Sequence, residues 1–243
     1  MTDSPFQLQG FAPGSWSQVA LQLTKPDGLI VGIDLLPAQP PTGVTAFQGD
    51  FLSPMVQKLV KDCILHLQDR RQLSRLEPES KANTPEDARQ HDLEPQSYID
   101  MERQASHVET EGQGKVHHGP RSMHIVDVVL SDMSAPWQQT SGYNVNTLSN
   151  PYHRLMNTSG NPFRDHFGSL DLCNAALDFA SDTLKPGGNF VCKVYQGSGE
   201  REFEQRARLL FAKVHIFKPK SSRSESRELY LIGIQRKGNG LLK

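Results

Sequence analysis

Gly28-Leu29-Ile30-Val31-Gly32-Ile33-Asp34-Leu35-Leu36 is a short apolar run that carries an acid near its end. A run of this length without polar alternation reads as a strand buried on both faces. Just upstream, Ser15 to Leu23 sets Trp16, Val19, Ala20 and Leu23 at helical spacing, and Pro26-Asp27-Gly28 supplies turn residues that close the helix. Downstream, Val44-Thr45-Ala46-Phe47 is a second short strand, followed by Gly49-Asp50-Phe51. Met55, Val56, Leu59, Val60, Ile64 and Leu67 then mark an amphipathic helix.

The same alternation resumes further on. His124 to Leu130 reads as a central strand, Leu170 to Leu184 as a helix ending at Lys185-Pro186-Gly187-Gly188, and Asn189 to Val194 as the next strand. A helix near Glu202 to Phe211 and strands at Val214–Phe217 and Leu229–Gly233 complete the order, with Phe6 to Gly10 as a weak first strand. Alternating strands and helices predict an α/β fold, a mostly parallel sheet with helices on both faces. The last two strands have no long helix between them, which predicts an antiparallel edge strand.

Composition sets the limits. The 243 residues hold 26 Lys+Arg against 27 Asp+Glu, so no global positive charge draws the chain to nucleic acid or membrane, and any steering comes from a local patch. Hydrophobic content of 36% and a mean hydropathy of -0.52 are low for one compact unit. The polar stretch at about 69–118 accounts for this: its apolar residues are isolated and cannot offset the entropy of ordering it. It reads as a flexible insertion with a helical extension at its start, interrupting a single domain over 1–237 and leaving a tail at 238–243. No apolar run reaches about 18 residues, the length a membrane-spanning helix needs. Cys63, Cys173 and Cys192 are odd in number and widely spaced, which favours buried free thiols over a disulfide framework or a zinc site. No metal is expected, and His117-His118 reads as solvated.

Three places carry candidate chemistry. The small residues of Gly10-Phe11-Ala12-Pro13-Gly14-Ser15-Trp16 let backbone approach a ligand at a helix start. They match neither a dinucleotide fingerprint nor a P-loop, and an ordinary tight turn is the competing reading. Asp34, at the carboxyl end of the second strand, is placed to bind the hydroxyls of a ribose, and Asp50, past the third, to receive an adenine amino group. Lys193 sits inside an apolar strand, where an ammonium is costly unless carboxylates face it. Asp132 and Glu228 are the candidates, because strand ends on one side of such a sheet converge. On residue types alone, a snorkelling lysine with two edge acids remains the stronger alternative.

Several stretches, in order, resemble the FtsJ/RrmJ family of S-adenosylmethionine-dependent RNA ribose 2'-O-methyltransferases. They are Gly10 to Gln18, Ile33-Asp34-Leu35-Leu36-Pro37, Gln48-Gly49-Asp50-Phe51, Leu130-Ser131-Asp132-Met133, Leu184 to Gly188 and Lys218-Pro219-Lys220-Ser221-Ser222-Arg223. Pro136, Gln139-Thr140-Ser141-Gly142, Asn157-Thr158-Ser159-Gly160 and Arg164-Asp165-His166 are most similar to its fungal mitochondrial branch, which methylates a uridine of large-subunit ribosomal RNA. The resemblance implies the Rossmann-like methyltransferase fold and a methyl-donor site for S-adenosylmethionine on Gly14, Trp16, Asp34, Asp50 and Asp132. It also implies a catalytic set on Asp132, Lys193 and Glu228. The family's first catalytic lysine has no counterpart, and the acid expected two residues before the loop glycine is Leu8, so a truncated front end is expected.

The implied partner is large-subunit rRNA or a ribosomal subunit precursor, the implied location the mitochondrion, and the expected state a monomer. Met1 to Phe6 itself resembles neither a secretory signal nor a transit peptide. Lys218, Lys220, Arg223 and Arg227, with Lys213 nearby, form a local basic patch for phosphate contacts, or else a solvated charged loop. Three other readings remain: a nicotinamide-dependent oxidoreductase, a catalytically weak ribosome-assembly factor, and a relative acting on tRNA or cytoplasmic rRNA. The first lacks a dinucleotide fingerprint, since Gly197-Ser198-Gly199 follows a late strand and reads as a turn.

Overall fold

The computed structural model describes residues 5–9, 14–76, 124–134, 161–222 and 226–238. Loop residues 10–13, most of the polar insertion, the motifs at 136–160, His117-His118, Arg223 and the last five residues lie outside the described residues.

Among the described residues, seven strands form one sheet: β1 (Pro5–Gln9), β2 (Leu29–Asp34), β3 (Val44–Gln48), β4 (Val126–Ser131), β5 (Leu184–Tyr195), β6 (Phe211–Phe217) and β7 (Glu228–Arg236). Their order is β3-β2-β1-β4-β5-β7-β6. Strands β1 to β5 pair in parallel, while β7 runs antiparallel to both β5 and β6. The antiparallel character expected at the edge is therefore carried by β7, inserted one place in, with β6 outermost. A short β6–β7 connection permits this, because antiparallel neighbours need no crossover helix.

The described helices are α1 (Ser15–Thr24), α2 (Pro54–Leu76), α3 (Pro162–Thr183) and α4 (Glu200–Leu210). Two apolar clusters follow from the strand period of two. Val31 and Ile33 of β2 join Val56, Val60 and Ile64 of α2 and Cys173, Ala176 and Phe179 of α3 in the larger one. Ile30 points the other way, into a smaller cluster with Ala20 of α1 and Val44, against which Trp16 and Leu130 pack. Buried Phe190, Cys192 and Val194 of β5 face the larger cluster, so Lys193 faces the α1 side.

One helix boundary agrees with expectation and another differs. Helix α2 runs on to Leu76, so the first residues of the polar stretch belong to it. Helix α3 begins eight residues before Leu170, at Pro162. Asn161 caps it, its side-chain oxygen accepting from the amides of Phe163 at 3.0 Å and Arg164 at 3.3 Å, with proline at the first helical position.

Candidate active site

The carboxyl ends of β3, β2, β1 and β4 lie side by side, and β1 marks the point where the strand order reverses. Loops leaving such adjacent ends in opposite directions open a crevice. Asp34 ends β2, Asp50 and Asp132 lie just past β3 and β4, Gly14 comes after β1, and the register aligns the four strand ends. Gln9 pairs with Ile33 on one side and Ser131 on the other, and Asp34 pairs with Gln48.

Each of these positions is held by local geometry. Gly14 caps α1 at φ 101°, a left-handed conformation that favours glycine, and no side chain caps the helix. The first turn thus leaves amide N–H groups without a side-chain cap, suited to a carboxylate. The Oδ1 of Asp34 accepts from the amide of Leu36, and that of Asp50 from the amide of Leu52, both at 2.9 Å. Such short turns aim a carboxyl group through the backbone just after it. Trp16 leans on Tyr230, with ring centroids 5.8 Å apart, closing the α1 side of the crevice.

Lys193 and Asp132 meet directly. The Lys193 side chain is only 10% exposed, and its Nζ lies 3.1 Å from Asp132 Oδ1. It also donates to the Asp132 backbone carbonyl at 3.0 Å. The alternative of a snorkelling lysine with two edge acids is not what the structure shows for Lys193. Burial raises the Asp132 carboxyl above its ordinary range; the Lys193 charge opposes the shift and Glu228 reinforces it.

Glu228 enters through a tyrosine. Its Oε1 accepts from the Tyr195 hydroxyl at 3.0 Å, and Ser226 Oγ lies 3.5 Å from its Oε2. Across the β5–β7 ladder, Lys193 pairs with Tyr230 and Tyr195 with Glu228. All four side chains therefore project from one face. The Tyr230 hydroxyl reaches Asp132 Oδ1 at 3.5 Å, and burial, with Asp132 and Glu228 adding, pushes this phenol up to about 12. Burial and Glu228 also hold the Tyr195 phenol well above its usual value. Two tyrosine–carboxylate pairs thus border Lys193. Neither tyrosine is among the residues expected from sequence. Their signal was the two-residue spacing from Lys193 and from Glu228.

In the basic patch, Lys220 and Arg227 are exposed, while Lys218 donates to the carbonyl of Ser226 at 2.9 Å and so braces the loop before Glu228. Among the described residues, no cluster of acids, histidines and cysteines has the makings of a metal site, and no helix is long and apolar enough to cross a membrane.

The FtsJ-like methyltransferase family model matches residues 9–236. The chain belongs to that family. It is 39% identical to rRNA methyltransferase 2, mitochondrial, of Saccharomyces cerevisiae, over 98% of this chain and 75% of the yeast protein. It is 34% identical to the ribosomal RNA large subunit methyltransferase E of Thiobacillus denitrificans, over 92% of this chain and 66% of that protein. A crystal structure of a ribosomal RNA methyltransferase from Plasmodium falciparum shares the fold, with a TM-score of 0.55 at 20% identity over 98% of this chain and 90% of that one.

The methyl donor of this fold is S-adenosylmethionine, and the crevice suits it. The α1 N-terminus matches the donor's carboxylate, the carboxylates of Asp34 and Asp50 match hydroxyl and amino groups, and the Asp132 carboxylate suits a cationic centre. Lys193 stands on β5, the strand next to β4 and its Asp132.

Proposed function

We propose that the chain methylates a ribose 2'-hydroxyl, on a uridine of mitochondrial large-subunit rRNA, acting as a monomer. The observation that carries this reading is the Lys193–Asp132 pair, held at 3.1 Å on the same side of the sheet as the donor crevice. The rRNA and mitochondrial parts of the reading are supported by the names of the yeast and bacterial relatives.

S-adenosylmethionine, when bound, supplies an already activated methyl group. The protein's share is to align the hydroxyl oxygen and to handle its proton. Two of the three donor directions of a charged Lys193 are taken by Asp132 Oδ1 and its backbone oxygen, which leaves one to hold the ribose oxygen. In its neutral form the same amine offers a lone pair in that direction and accepts the hydroxyl proton. Asp132 draws Lys193 towards the crevice, and Glu228 with Tyr195 forms the anionic wall behind it. Gly14, Trp16, Asp34, Asp50 and Asp132 bind the donor. Lys218, Lys220, Arg223 and Arg227 meet phosphates on the RNA, Lys218 through the loop it braces.

The test is transfer of a tritiated methyl group to a transcript of mitochondrial large-subunit rRNA, with the product mapped for 2'-O-methylation. Lys193→Ala is expected to abolish transfer while donor binding by calorimetry persists. Donor binding without transfer by the parent chain would favour an assembly factor instead.

A further inference from the structure

Beyond Ser131, β4 no longer pairs with β5, and its last partner there is Cys192. The backbone groups of Lys193 and Tyr195 on that side consequently lose their strand neighbour. Gln196 still gives its N–H to Arg227 O at 2.9 Å on the β7 side. Buried main-chain groups must find other partners. Here they come from a helix.

Cys173 Sγ donates to the carbonyl of Lys193 at 3.1 Å. Ser169 Oγ accepts the N–H of Tyr195 at 3.2 Å. His166 Nδ1 lies 3.0 Å from the carbonyl of Tyr195, and its Nε2 meets the carbonyl of Ser198. All three side chains are buried, with 4% of His166, 6% of Ser169 and 1% of Cys173 exposed. Positions 166, 169 and 173 lie along one face of α3. Four helical residues rise about 6 Å, close to the roughly 6.6 Å between alternate strand residues. The spacing of Ser169 and Cys173 thus matches that of Tyr195 and Lys193.

We propose that His166, Ser169 and Cys173 form a positioning stripe, in which α3 stands in for the missing strand and sets where Lys193 and Tyr195 project. This rests on the assignment of Lys193 to methyl transfer. The turn that follows is shaped to the same histidine. A Cβ on Gly197 would come within 2.6 Å of His166 Nδ1, so only glycine lets the ring lie beneath the chain. Both ring nitrogens face carbonyl oxygens. A neutral imidazole donates to one of them, and only the doubly protonated ring donates to both. None of the three residues touches a reacting group. Their effect passes through the backbone to Lys193, and through the Tyr195 hydroxyl to Glu228.

The experiment compares Ser169→Ala, His166→Gln and His166→Asn with Lys193→Ala in single-turnover methyl transfer to the rRNA transcript, alongside calorimetric donor binding. Asparagine places an amide donor near the Nδ1 position and glutamine near Nε2. Ser169→Ala and His166→Gln are expected to slow transfer about tenfold or more, because small displacements of a reacting group are costly. Donor Kd should stay within about twofold, and His166→Asn should recover most of the rate that His166→Gln loses. A purely structural role would lower melting temperature in both histidine variants without that split in rate.

Parent-like rates in Ser169→Ala and His166→Gln, with Lys193→Ala inactive, would overturn the stripe alone. A fully active Lys193→Ala would overturn the catalytic assignment and the stripe with it. Amide hydrogen exchange reads the stripe without catalysis. In Ser169→Ala, protection of the Tyr195 amide should fall about tenfold or more; unchanged protection would overturn the proposal even in an inactive chain. Ser169→Ala removes one atom, so it carries the test if a histidine variant does not fold.

Discussion

Tyr195 on β5 stands opposite Glu228 on β7, and its hydroxyl donates to Glu228 Oε1 at 3.0 Å. This cross-strand pair locates the glutamate, which makes no direct bond to Lys193 among the described contacts. Tyr195→Phe keeps the ring and deletes that bond. Losing a hydrogen bond to a charged acceptor is expected to cost about 1–3 kcal/mol. Urea unfolding of parent and variant measures it, and an unchanged midpoint would show the bond contributes nothing.

Asp132 is the direct partner of Lys193, so Asp132→Asn leaves a mostly buried ammonium without its counter-charge. Since 27% of the Asp132 side chain is exposed, solvent softens the loss. A destabilisation of about 1–3 kcal/mol is expected, below that of breaking a fully buried pair. Methyl transfer should fall about 100-fold or more. Thermal unfolding with the tritium assay separates the two effects.

Asp34→Ala should weaken donor binding about 10- to 100-fold, the range for losing hydrogen bonds to a charged group. Transfer at saturating donor should change far less than the donor Kd. Titration calorimetry with S-adenosylmethionine is the measurement, and an unaltered Kd would remove Asp34 from the donor site.

Burial on α2 pushes the Cys63 thiol from 9.0 up to about 11. The folded chain thus holds this proton more tightly than the unfolded chain. The associated stability is fully present below pH 9 and is lost as pH rises towards 11. Denaturation at pH 8, 10 and 11 should show a steeper decline for the parent than for Cys63→Ala. At pH 8, alkylation of Cys63 should be slow until denaturant is added.

The helix at α3 shows how far local pattern reaches. Its apolar period was legible from Leu170 onward, where Cys173, Ala176, Leu177 and Ala180 face the core. The first two turns expose Phe163 and Phe167 and bury Asp165 and His166, which inverts the usual pattern. Only Asn161-Pro162, a cap residue followed by proline, marked the true start. The polar face proved to be the one that grips β5.

The sequence alone determined the alternation of strands and helices, the acids at the ends of β2, β3 and β4, and a lysine placed within an apolar strand. These are properties of neighbouring residues, repeating every two or every three to four positions, and they survive without knowledge of the fold. Tertiary structure alone decided that β7 lies between β5 and β6, that Glu228 is reached through Tyr195, and that α3 replaces β4 beside Lys193. The side-chain contacts among these join residues 20 to 33 positions apart. They depend on which strands become neighbours and where one of them stops, and no local period encodes either.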